Sequence, residues 1–121
     1  MARNLEIGKE GEELAVKLLL EKQWKILERN WRSGHREIDI IAESGGKLII
    51  VEVKVRKQIG AERLEEHIPW KKQQSLVRAA GAYLKYKQLD AEVRFDVILL
   101  TGEVGRFTIE HIEDAFTAWD I

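Results

Sequence analysis

Apolar residues recur along this chain with two different periods, and each change of period marks an element. From about Asn4 to Glu21, Ile7, Gly11, Leu14, Ala15, Leu18 and Leu19 fall on one side at about 100° per residue, which predicts an amphipathic helix. From Trp24 to Trp31 the period drops to two. Trp24, Ile26 and Glu28 share one face and Leu27, Arg29 and Trp31 the other, so a strand is expected, followed by a turn at Arg32-Ser33-Gly34-His35. The run Glu37–Lys54 reads as two β-branched-rich strands joined through Ser44-Gly45-Gly46. Residues 56–69 have weak periodicity, contain Gly60 and end at the only proline, Pro69; they predict a loop or short helix. A second helix is expected from Trp70 to about Tyr86, with Gln73, Leu76, Val77, Ala80 and Leu84 inward. Val93–Leu100 predicts a strand, and Gly102–Gly105 a turn into an edge strand near Phe107–His111. A short terminal helix around Asp114–Trp119 would pack Ala115, Phe116 and Trp119.

The register of the central hairpin follows from its faces, because a slip of one residue sends every side chain to the other side. Placing Asp39 opposite Glu52 gives an unbroken apolar face of Ile38/Val53, Ile40/Val51 and Ala42/Ile49. The other face then pairs Ile41 with Ile50, Asp39 with Glu52, and Glu37 with Lys54, and a loop of about four residues, Ser44 to Lys47, closes the hairpin. Directly opposed carboxylates have Cβ atoms about 4.5–5.5 Å apart and destabilise the pair. A divalent cation would offset that repulsion, and a pair of carboxylates completed by water and phosphate suits Mg²⁺. Lys54 falls two residues beyond Glu52 on the same face, within reach of a water or phosphate at such an ion. The bland reading is a solvated hairpin face with Glu37–Lys54 as a surface ion pair. The apolar pair Ile41/Ile50 beside the acids points instead to a cleft wall.

Composition narrows the choice. The 121 residues contain no cysteine, which excludes disulfides, thiolate metal sites and cysteine nucleophiles. They suit one domain, 1–121. No apolar run reaches transmembrane length, and the opening Met-Ala-Arg-Asn-Leu-Glu lacks the hydrophobic region of a signal peptide, so a soluble cytoplasmic protein with no membrane partner is expected. The net charge of −1 argues against a general nucleic-acid coat, but the charge is uneven. Between Lys54 and Lys87 nine Lys/Arg meet three acids, a local net of +6 that leaves −7 for the rest. Such asymmetry suits a phosphate-bearing partner. Arg56, Lys57, Lys71 and Lys72 are the candidate nucleic-acid contacts, with a solvated charged helix face as the competing reading for the helical ones. Glu12 lies at the margin of the first helix's apolar stripe between Gly8 and Ala15, which leaves room beside it, although this helix alone favours a boundary glutamate among glycines that merely permit close helix–sheet packing. Asp96 falls on the opposite face from Val97, where a local contact with Arg94 is the simplest expectation.

The motifs together resemble the YraN-like family of predicted endonucleases, within the PD-(D/E)XK nuclease superfamily and similar in outline to archaeal Holliday-junction resolvases. The resemblance runs nearly the whole chain. It is carried by Gly8-x-x-Gly11-Glu12-x-x-Ala15, Asn30-Trp31-Arg32, Glu37-Ile38-Asp39-Ile40-Ile41-Ala42, Lys72-Gln73 with Ala79-Ala80 and Tyr83-Leu84, and Arg94-Phe95-Asp96-Val97. Val51-Glu52-Val53-Lys54-x-Arg56 is its most specific element. One position departs: Arg36 stands where that family usually has glycine. The resemblance implies a restriction-endonuclease-like α/β fold, a mixed β-sheet flanked by helices in the order α-β-β-β-α-β-β-α. It also implies that Asp39 and Glu52 bind Mg²⁺ or Mn²⁺, that Lys54 assists the attacking water, and that Glu12 supports the site. Hydrolysis of phosphodiester bonds in nucleic acid, with branched DNA among the candidate substrates and a homodimer among the candidate assemblies, is the expectation. The alternatives are a nucleic-acid-binding or interaction module that does not cut, and a structural adaptor whose acids pair with arginines.

Overall fold

The computed structural model describes residues 2–57 and 68–118, and these form two helices and five strands. They are α1 (Ala2–Glu21), β1 (Lys25–Ser33), β2 (Arg36–Ser44), β3 (Lys47–Arg56), α2 (Trp70–Lys87), β4 (Val93–Thr101) and β5 (Thr108–Phe116). The strands form one sheet in the order β1-β2-β3-β4-β5. Only β3 and β4 pair in parallel, because a helical crossover separates them while short turns join the other neighbours. This is the mixed, helix-flanked sheet that the sequence predicts. No helix among the described residues is long and apolar enough to cross a membrane.

A helix covers each face of the sheet. Ala15, Val16 and Leu19 of α1 bury against Ile40, Ala42, Ile49, Val51, Ile98 and Leu100. Leu76, Ala79, Ala80 and Tyr83 of α2 bury against Ile41, Ile50, Phe95, Val97 and Leu99. Strands buried on both faces need apolar residues at successive positions, and Leu48–Val51 and Val97–Leu100 supply them. Ile41 and Ile50 are therefore core beneath α2 and not a cleft wall, a correction to the expectation above. The β2–β3 turn is also tighter than expected. Ser44 pairs directly with Lys47, leaving Gly45 (φ 58°) and Gly46 (φ 78°) as a two-residue turn of the type that needs positive φ at both positions.

The terminal helix expected at about 114–119 is replaced by strand as far as Phe116. A register shift between Phe95 and Val97 lets Asp114 adopt φ 53° and donate its N–H to Asp96 Oδ1 at 3.0 Å. Phe116 then pairs with Phe95, their rings stacked 5.0 Å apart. Strand pairing plus this ring contact outcompetes the weak helical pattern; Trp119 lies outside the described residues. So does 58–67, the centre of the loop or short helix expected after Arg56.

Gly11 sets how closely α1 approaches the sheet. A Cβ there would lie 2.5 Å from Val55 Cγ2. Val55 is β-branched and has little rotamer freedom to retreat. Gly11→Ala should therefore destabilise the fold by about 1–3 kcal/mol, the usual cost of overpacking, despite alanine's better helix propensity. Urea unfolding of the variant reads this directly; equal or greater stability would show that the helix can lift without loss.

Candidate functional site

The sheet forks at its centre. β1 and β2 stay paired as far as Ser33↔Arg36, and β3 and β4 as far as Arg56↔Thr101. The β2–β3 ladder, in the register the apolar face predicts, stops at Ile40↔Val51. Asp39 and Glu52 are the next residue on each strand, at the point where the two pairs of strands part. Asp39 Oδ2 accepts the N–H of Val53 at 2.8 Å, so a side chain takes the place of a strand carbonyl at the open end of the ladder.

A slip in strand alternation makes this possible. Residues two apart on a strand should share a face, yet Ile38 packs in the α2 cluster and Ile40 in the α1 cluster. Opposite them, Asn30 has φ 51° between the pairs Arg29↔Ile40 and Trp31↔Ile38. This kink turns the outer half of the β1–β2 hairpin over. It corrects the expected face: Ile38 does not lie with Ile40, and no Ile38/Val53 pair forms.

The electrostatics of the two acids follow from their burial. Glu52 is only 9% exposed, and its Oε1 is buried with no hydrogen-bond partner among the described residues. Lys72 Nζ stands 3.6 Å from Oε2. Burial, reinforced by the charge of Asp39, pushes the Glu52 carboxyl up to about 8, with Lys72 opposing. Asp39 is also raised, by burial first, while the Val53 N–H, a hydrogen bond with Glu52 and the charge of Lys72 pull it back. The charge of Glu12 adds to the rise. In the absence of a cation the pair thus tends to hold a shared proton and not two full charges.

An unpartnered buried carboxylate oxygen beside a second carboxylate is a donor set of hard oxygens, which fits a divalent cation. Asp39 and Glu52 are the residues that could hold it. Among the described residues no three or more His, Cys, Asp or Glu side chains cluster to hold a metal ion, so Asp39 and Glu52 are the two carboxylates these residues offer.

A cleft of about 630 Å³ adjoins Asp39 on the α1 side, lined by Gly8, Glu12, Asn30, Lys54 and neighbours. A Cβ added at Gly8 would meet nothing within 4 Å, so the mouth of the cleft is open there. Glu12 is held in place: its Oε1 accepts Asn30 Nδ2 at 2.8 Å and Arg29 Nη2 at 3.3 Å. The kink at Asn30 thus presents two consecutive side chains to one acid, which the period of two gave no reason to expect. Lys54 is exposed on the cleft wall and makes no ion pair among the described residues. Arg36 closes the β1–β2 turn opposite Ser33 and is absent from the cleft lining. Of the four basic candidates, Lys72 is drawn onto Glu52. Lys57 and Lys71 are exposed, Arg56 is half-buried at the end of β3, and none of these three lines the cleft.

A second polar centre lies elsewhere on the sheet. Asp96, its side chain fully buried, accepts Arg94 Nε and Nη2 at 2.9 Å each, the Asp114 N–H at 3.0 Å, and pairs with His111 Nε2 at 2.8 Å. Lys22 Nζ reaches His111 Nδ1, and Trp24 lies edge-on to the His111 ring. The local Arg94–Asp96 contact expected from the sequence is present, but no pattern in the chain points to His111, 15 residues away.

Comparison with known proteins places the chain among relatives. A UPF0102 protein of Phocaeicola vulgatus is 46% identical over 116 residues, covering 96% of each chain. One from Bacteroides thetaiotaomicron is 47% identical over 116 residues with the same coverage. Among solved structures, Pyrococcus furiosus SfsA in complex with Ca²⁺ gives a TM-score of 0.39 at 21% identity, over 88% of this chain and 62% of that one. The model of the uncharacterised protein family UPF0102 matches residues 11–100, and with relatives of this identity along nearly the whole length the chain belongs to that family.

Proposed function

We propose that this protein is a Mg²⁺- or Mn²⁺-dependent endonuclease that hydrolyses phosphodiester bonds in nucleic acid, with DNA, branched DNA included, as the substrate class. The observation that carries the reading is the fork itself: the buried carboxyl of Glu52 and the half-buried carboxyl of Asp39 meet where the strands part, and Glu52 Oε1 has no partner among the described residues. Asp39 and Glu52 would hold the cation. When bound, it would make water more acidic and stabilise negative charge on phosphate oxygens. Lys54, exposed on the cleft wall, positions a water or a phosphate oxygen beside the acids. Lys72, 3.6 Å from Glu52 Oε2, would be free to pair with phosphate if a cation took that carboxyl. Glu12, fixed by Asn30 and Arg29, keeps a negative charge near Asp39 without being consumed by it.

One observation favours a module that binds nucleic acid without cutting. Glu12 is already engaged by two donors, so among the described residues two acids remain to hold an ion. Two measurements separate the readings. Mn²⁺ should raise the melting temperature, because a ligand that binds only the native state stabilises it by about 2.7 kcal/mol at a hundredfold excess over Kd. Incubation with single-stranded, duplex and branched substrates should then give metal-dependent cleavage of at least one. Stabilisation without cleavage leaves the binding module; no metal response removes the metal site altogether.

A further inference from the structure

On the edge strand β1, one residue pair from the fork, stands an aromatic slot that the metal site does not use. Trp31 pairs with Ile38, the neighbour of Asp39. Its ring centroid lies 6.3 Å from that of Tyr86 on α2, with 38° between the planes. Together with Arg32, Ser33 and Ala82 the two rings line a cavity of about 320 Å³. Tyr83 abuts Trp31 edge-on at 5.1 Å, with its hydroxyl donating to Glu28 at 3.1 Å, so the inner wall is braced. The outer wall is not: Tyr86 is 69% exposed. Cations flank the slot, each beside a carboxylate that phosphate would have to displace: Lys87 Nζ lies 5.4 Å from the Tyr86 centroid and 3.7 Å from Glu28 Oε2, and the Arg32 side chain, 74% exposed, pairs with Glu37 at 3.1 Å.

A fixed ring, a movable ring and two cations at the rim are what a nucleobase and its phosphates recognise. Stacked bases repeat at about 3.4 Å, so a base held between two rings needs centroids about 7 Å apart. Tyr86 can supply that small opening because little packs against it. Bases within a duplex show only their edges, so only an unpaired or splayed base can enter. We infer that the Trp31–Tyr86 slot receives an unpaired base of a nucleic acid whose backbone passes the sheet fork. The inference rests on the nucleic-acid reading above and deepens it: the substrate would carry a single-stranded nucleotide close to the bond that is cut.

The test needs neither metal nor cleavage. In EDTA, binding of a short fluorescein-labelled oligothymidylate is compared with that of an abasic strand of the same length and charge. The wild type should prefer the base-bearing strand by about tenfold, within the range for one base–aromatic stack. Tyr86→Ala should lose most of that preference with little change for the abasic strand, and Tyr86→Phe should keep it. Lys71→Ala, outside the slot, should weaken both strands alike. Equal binding of both strands by the wild type, or an equal loss for both in Tyr86→Ala, would overturn the slot. Because Tyr86 is exposed, unfolding will not obscure the result. A preference for bases in a protein that shows no Mn²⁺ stabilisation would keep the slot and sink the nuclease; metal-dependent cleavage without base preference would do the reverse.

Discussion

Glu52→Gln should abolish the Mn²⁺-induced rise in melting temperature and all cleavage, yet leave the metal-free protein at least as stable as the wild type. Glutamine keeps the size and the contact with Asp39 but cannot carry the charge that a cation needs. The pH dependence makes the case specific. The folded carboxyl of Glu52 is raised to about 8 from 4.5, so the native state holds its proton more tightly than the unfolded chain does. The stability that this proton brings is full below about 4.5 and is lost as pH rises through about 8. The metal-free wild type should therefore weaken across that window, and Glu52→Gln should show no such loss from this site. Above pH 8 the variant should be more stable by a few tenths to about 1 kcal/mol, the size of a cross-strand charge pair. Mn²⁺ stabilisation of the wild type should grow over the same range, because binding requires the proton to leave. A destabilised variant with a metal-insensitive wild type would leave only the adaptor, in which Lys72–Glu52 is a structural ion pair.

Asp96→Ala should cost about 3–5 kcal/mol, the usual penalty for removing one partner of a buried ion pair. Arg94 would lose its bidentate acceptor, and the His111 ring and the Asp114 N–H would each lose a partner. The melting temperature should fall by about 10–20 °C. Asp96→Asn, which keeps the shape, should cost less and isolate the charge. Burial alone would raise the Asp96 carboxyl, but the hydrogen bonds from His111, Arg94 and the Asp114 amide outweigh it and hold the group below its ordinary 3.8. Its contribution is thus complete above about 3.8 and lost as pH falls through the lower folded value. Urea unfolding at neutral and at strongly acid pH should show the wild type's advantage over Asp96→Asn shrinking in acid. An advantage that stays constant would mean that packing, and not charge, holds this centre.

The fold was legible where one period ran undisturbed. The α1 stripe, the α2 stripe and the β2–β3 register each follow from spacing alone, because a slip would expose a row of isoleucines and valines. Legibility failed where the backbone takes a positive φ at a residue other than glycine. Asn30, at 51°, reverses the faces of the outer hairpin, and Asp114, at 53°, carries β5 through what reads as a helix start. Neither asparagine nor aspartate in a strand announces a left-handed turn, although both tolerate it better than most residues. At the candidate site the two acids could be placed from the hairpin alone. The Lys72 contact could not, since it depends on how α2 docks, and the Asn30 and Arg29 contacts with Glu12 depend on the kink.

The lone parallel pairing in the sheet gives the molecule an order of assembly. The β1–β2–β3 meander and the β4–β5 hairpin close through short connections, whereas β3 reaches β4 only after the 36 residues from 57 to 92, α2 among them, have been gathered in. Closing the longer loop carries the larger entropy cost, so it comes after the local pairings. A chain emerging from its N-terminus has Asp39 and Glu52 in one hairpin before Lys72 exists to stand between them. The acid pair is therefore a product of the first-formed half, and its counter-charge is delivered by the step that joins the two halves into one sheet.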